Sequence, residues 1–229
     1  MSITGEGQAF YLIGILLELL SSFCAFIIAS YTLRGYMLAR KKTPLFFSLS
    51  FSMLGLALLC RAGYDFLART NLFGTLRYLP DQTLISSAGL LIALSIFLTG
   101  AGYTMLIVLL MRLASKRILF LILVLLALIT LNTHTLYITG HILPVILLVF
   151  VLLHVIDNFF KKRTTNSFLV LSSFTLLFVS EVFFLLIPQS LLFYFVGNFC
   201  RLLAYLQLLA NMLLVLKNDV KTRKTRDSI

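Results

Sequence analysis

Residues 191–216 read LLFYFVGNFCRLLAYLQLLANMLLVL. The stretch is long enough to cross a bilayer, yet it carries Asn198, Arg201, Gln207 and Asn211. At 1.5 Å rise per residue, Arg201 lies roughly 15 Å from the upstream end, near the middle of a ~30 Å hydrocarbon layer. A guanidinium at that depth costs several kcal/mol, about 3 or more, unless something pairs with it. The rest of the chain is therefore expected to form a bundle that supplies partners to this helix.

Composition points to the same solvent. The chain has 229 residues, is 60% hydrophobic and only 12% charged, and has a mean hydropathy of +1.04. A soluble domain is nearer about half apolar and a quarter charged. The formal charge of +11 would suggest nucleic acid in a soluble protein. Here the basic residues gather at the ends of apolar runs, which is how membrane topology is encoded, and no basic face with interleaved aromatics remains for nucleic acid.

Seven apolar runs have spanning length: 10–36, 44–66, 84–111, 118–136, 142–160, 167–187 and 191–216. The division between the fourth and fifth rests on the polar link from Asn132 to His141, read as a turn, with Pro144 in the first turn of the next helix. Arg40, Lys41 and Lys42 follow the first run, and Arg112, Lys116 and Arg117 the third. Lys161, Lys162 and Arg163 follow the fifth, and Lys217, Lys221, Arg223, Lys224 and Arg226 the seventh. Every second link is thus basic, which places the N-terminus outside and the C-terminus in the cytoplasm. An odd number of spans satisfies that result. The expected fold is all-α: a bundle of seven transmembrane helices over 1–216, followed by a basic cytoplasmic tail at 217–229 that lies against anionic lipid headgroups. The expected location is the cell membrane. The N-terminus lacks the charged start and cleavage site of a signal peptide.

The link from Leu67 to Asp81 reads as an interfacial helix or as a lid over an outward-facing cavity. Sliding the chain by about 120 residues sets the second run against the sixth, with Arg61 opposite Glu181, a pattern to be expected of a parallel repeat or of a leucine-rich composition alone.

The ionisable residues inside the runs are Glu18, Arg61, Asp65, Asp157, Glu181 and Arg201. Counted from the cytoplasmic ends, Arg61 is about 24 Å up and Glu181 about 20 Å. Counted from the outer ends, Glu18 is roughly 12 Å down and Arg201 roughly 15 Å. Two acids and two bases thus share one layer and can neutralise one another. Arg61 can also pair locally with Asp65 at i, i+4, which would leave Glu18 for Arg201. Asn198, Arg201 and Tyr205 share one helical face. Glu18, Arg61, Glu181, Asn198, Arg201 and Tyr205 are the candidate ligand-binding residues. The layer serves either a bound solute or the register of the helices. Asp157 is expected to pair with Lys161 near the interface.

No enzyme signature is present: GxSxG, the P-loop and HExxH are all missing. Cys24, Cys60 and Cys200 read as small buried hydrophobes. His134, His141 and His154 do not form a haem or metal pattern, so no cofactor is expected. A retinal linkage is excluded, because the last run offers Arg201 and no mid-span lysine.

The run Arg40-Lys41-Lys42 into PLFFSLSFSMLGLALLCRAGYDF resembles the first two helices of prokaryotic seven-helix sensor regions, the kind found upstream of histidine kinases and cyclases. The resemblance covers about the first half of the chain. It implies a sensor or binding module, and with no output domain after the seventh run, one that signals through a membrane or cytoplasmic partner. A small-solute or proton-coupled transporter, and a structural subunit of a membrane complex, are the alternatives.

Overall fold

A computed structural model describes residues 5–39, 42–69, 81–110, 136–187 and 190–226. Six α-helices occupy them: α1 (Gly5–Ala39), α2 (Lys42–Arg69), α3 (Asp81–Leu110), α4 (Leu136–Lys162), α5 (Thr165–Leu185) and α6 (Leu191–Arg226). Each contains an apolar segment of membrane-crossing length, from 21 residues in α5 to 28 in α1. The chain is a multi-pass helical membrane protein. The expected fourth span, 118–136, lies almost wholly outside the described residues, as does most of the link from Leu67 to Asp81.

Helices are the only open structure that satisfies its backbone inside lipid, so long apolar runs of this kind fold as helices whatever their local propensity. Each helix packs on its chain neighbours, and α1 also packs on α6. The described helices therefore close into a ring. The outward faces are apolar: Leu16 and Phe23 on α1, Phe150 and Leu153 on α4, and Leu192 and Phe199 on α6 are all exposed to what would be lipid. The inward faces hold a core of Ile28, Phe51, Leu54, Leu106, Leu148, Val151 and Leu177.

Polar side chains stitch neighbouring helices together, as expected where lipid removes the hydrophobic drive between them. The Ser22 and Ser48 hydroxyls of α2's neighbour and of α2 itself donate across the α1–α2 seam, to the carbonyls of Gly55 and Ala29, each at 2.8 Å. Ser50 donates to the Gly102 carbonyl at 2.6 Å, joining α2 to α3. Ser180 donates to the Gly197 carbonyl at 2.8 Å, joining α5 to α6. Gly197 also admits Phe184, whose ring lies 3.1 Å from where a β-carbon would sit.

The turn between α4 and α5 carries Arg163 at φ 46° and Thr164, whose hydroxyl accepts from the Ser167 amide as an N-cap. Next to it Lys161 pairs with Asp157, one turn earlier on α4.

Two sequence expectations change. Residues Leu136 to His141 belong to a helix and not to a turn, so Pro144 stands inside α4 and not in its first turn. Proline there removes the bond that its amide would give to the Gly140 carbonyl. His141 interrupts the apolar run because it faces Arg61 and Glu181 inside the ring, while Gly140 beside it packs on Ile96. At the other end, the backbone of α6 stays helical through the expected tail, as far as Arg226.

Candidate functional site

The polar layer lies in the half of the ring away from the α4–α5 turn. It is built from the C-terminal halves of α2 and α5, the first turns of α4, and inward positions of α1, α3 and α6. Glu18, Arg61, Glu181 and Arg201 come together there.

Arg201 is 3% exposed, and its Nη2 donates to Glu181 Oε1 at 2.7 Å. Arg61 places Nε 3.2 Å from Glu18 Oε1. Depth alone had left the pairing open. The structure sets Glu18 beside Arg61 across the α1–α2 seam and Glu181 beside Arg201 across the α5–α6 seam. Asp65, one turn on from Arg61, accepts the Tyr194 hydroxyl of α6 at 2.7 Å. Tyr194 fits because Gly14 has no side chain: a β-carbon there would fall 2.1 Å from the ring.

His141 joins the two ion pairs. Its Nδ1 lies 2.9 Å from Glu181 Oε2 and its Nε2 3.1 Å from Arg61 Nη2. A guanidinium has only donors, so Nε2 must accept and Nδ1 must carry the hydrogen given to Glu181. The imidazole is thus held as one neutral tautomer. Contact geometry alone makes this assignment: a proton on Nε2 would face a donor. Phe184 forms the floor of the network. Both guanidinium carbons lie 4.3 Å from its ring centroid, and His141 stacks on it at 5.2 Å. An aromatic quadrupole beside a desolvated cation contributes about 2 kcal/mol.

Beside the network is a cavity of about 90 Å³. Arg61, Asp65, Glu181 and Arg201 line its charged side with the neutral His141 among them, and Tyr64, Ser95, Thr99, Tyr103, Tyr194 and Tyr205 bring hydroxyls. Leu54, Leu58, Ile92, Ile96 and Ile187 make it partly apolar. Such a volume has room for several waters or a small molecule.

Among the described residues, Arg201 Nη1 is buried with no hydrogen-bond partner, and so are both amide atoms of Asn198. Tyr205 is on the cavity wall, whereas Asn198 is not. Five of the six expected binding residues therefore belong to the layer or its cavity (Glu18, Arg61, Glu181, Arg201 and Tyr205), and Asn198 lies one turn from Arg201. Sequence reasoning missed His141, Phe184, Tyr194 and the hydroxyls of α3. A buried histidine preceded by glycine within an apolar run was the only available signal for His141. Among the described residues, no group of three or more His, Cys, Asp or Glu side chains could hold a metal ion.

Comparison with family models, with curated proteins and with solved structures returns no match.

Proposed function

We propose that the protein is a membrane-embedded binding module for a small polar solute, which enters from outside and is read by a partner protein. The observation that carries this reading is the cavity beside the ion pairs, where Arg61, Asp65, Glu181 and Arg201 meet the hydroxyls of Tyr64, Ser95, Thr99, Tyr103, Tyr194 and Tyr205. A layer that served helix register alone would have no use for an adjoining cavity lined with hydroxyls.

The seven-span count and the orientation belong to this proposal. The cavity lies away from the basic α4–α5 turn, so charge-directed insertion would put it in the outer half of the bilayer.

A transporter could use the same layer, and flux separates the two. Protein reconstituted in proteoliposomes is screened with small polar solutes for ligand-dependent melting and for uptake. A binding module shows stabilisation by a solute that is not accumulated. Accumulation of the stabilising solute would replace this reading with transport.

A further inference from the structure

We infer that the solute is a short zwitterion, of the class of the small amino acids, held with its carboxylate at Arg61 and its ammonium at Asp65. This rests on the binding reading above and sharpens it. Charges of both signs line the cavity, Arg61 and Arg201 against Asp65 and Glu181. Arg201 and Glu181 are turned to each other at 2.7 Å, each with 4% of its side chain exposed. Arg61 keeps 17% of its side chain exposed. Its Nε faces Glu18 at 3.2 Å and its Nη2 faces His141 at 3.1 Å. A guanidinium carries about five N–H donors, so these two contacts leave donors for a ligand. Asp65 stands one turn further along α2, about 6 Å by helix rise. It accepts the Tyr194 hydroxyl at 2.7 Å, one bond to a group with about four lone-pair positions.

A ligand must satisfy both signs at once. An anion drawn to Arg61 would also approach the carboxylates of Asp65 and Glu181. A cation drawn to Asp65 would also approach Arg61 and Arg201. Each simple ion thus loses its hydration and meets a charge of its own sign on the same wall. A zwitterion brings an opposite charge to each group and regains hydrogen bonds at both ends. β-Alanine suits the spacing, because its methylenes hold the two charged ends apart along the helix. Those methylenes have the aliphatic wall of Ile92 and Ile96 to lie against, and the hydroxyls of Tyr64 and Ser95 can donate to its carboxylate.

β-Alanine, butyrate and β-alaninamide are nearly isosteric and differ in charge: zwitterion, anion and cation. Their binding to the full chain in nanodiscs can be compared by saturation-transfer NMR, with Thr99→Leu as the site control. Thr99 lines the cavity, and its hydroxyl bonds only within its own helix, to the Ser95 carbonyl. The added carbons should fill the space with little loss of tertiary bonding. If that variant does not fold, Ile92→Phe on the same wall replaces it. Asp65→Asn is the charge control: its amide oxygen still accepts from Tyr194, while the counter-charge of the ammonium is gone.

The expected result is saturable β-alanine binding, at least about tenfold tighter than either ion, and abolished in the filled variant; tenfold corresponds to about 1.4 kcal/mol. Asp65→Asn should erase the preference for β-alanine over butyrate. A preference that survives Asp65→Asn would overturn the placing of the ammonium, and the comparison in the unaltered chain decides the charge class without that variant. Equal or tighter binding of butyrate or β-alaninamide, also lost in the filled variant, would overturn the zwitterion and leave the binding reading standing. No binding of β-alanine, or binding unaffected by filling the cavity, would also overturn the zwitterion. The binding reading itself falls only if no solute in the wider screen stabilises the protein.

Discussion

Arg201→Leu is the perturbation with the largest worked consequence. The substitution removes the 2.7 Å bond to Glu181 and the cation over Phe184 at 4.3 Å. A hydrogen bond to a charged group contributes about 1.5–3 kcal/mol, and a desolvated cation–ring contact about 2 kcal/mol. Together they match the about 3–5 kcal/mol typical of breaking a buried pair from one side. Glu181 keeps the His141 hydrogen at 2.9 Å, which favours the lower half of that range. For a chain of this length, each kcal/mol moves the midpoint by about 2–4 °C, so the variant should melt about 6–15 °C lower in detergent.

The structure also says which acid should rescue it. Glu181→Gln removes the orphaned charge while its amide oxygen still accepts from His141. The Arg201→Leu/Glu181→Gln double variant should recover part of the loss, with a coupling of about 2–3 kcal/mol. Glu18→Gln should couple far less to Arg201→Leu, because Glu18 pairs with Arg61. Differential scanning fluorimetry of the two double-mutant cycles decides the matter. An unchanged midpoint for Arg201→Leu, or stronger rescue by Glu18→Gln, would refute the pairing.

Three further outcomes are expected. Gly14→Ala should be among the most destabilising single-methyl additions in the chain, since the new carbon would meet the Tyr194 ring at 2.1 Å; Gly35→Ala, which meets nothing within 4 Å, is the matched control in the same melting assay. Tyr194→Phe should cost about 1–3 kcal/mol by leaving Asp65 without that donor, and the midpoint should fall accordingly. A peptide covering Val215 to Ile229 should associate with anionic vesicles and release as salt rises, at about 1 kcal/mol per basic residue; association indifferent to salt would remove the lipid role of that segment.

Much of the bundle was legible because the bilayer imposes a length on every span. Hydropathy alone placed seven spans, six of which fall on the described helices, and depth along them placed Glu18, Arg61, Glu181 and Arg201 in one layer. Depth is one coordinate, however, and pairing needs the azimuth of each helix and the order of the ring. By depth Arg201 could reach Glu18 or Glu181, and only the packed helices show it on Glu181, with Glu18 beside Arg61. His141 was hidden for a different reason. Its polar neighbours Thr139 and Gly140 break the apolar run, and a break reads as a turn unless a polar interior is already known. Phe184 is one of 21 phenylalanines, and nothing local separates it from those that face lipid.

The proposed binding reading requires that the cavity beside the polar layer be reached from outside the membrane. Cysteine accessibility at Thr99 tests it directly. Cys24, Cys60 and Cys200 are replaced by alanine, Thr99→Cys is introduced on the cavity wall, and intact cells are treated with a membrane-impermeant thiol reagent. Modification from outside is the predicted result, slowed when Thr99→Cys is combined with the cavity-filling Ile92→Phe. Modification from the cytoplasmic side only, or none in folded protein, would contradict it.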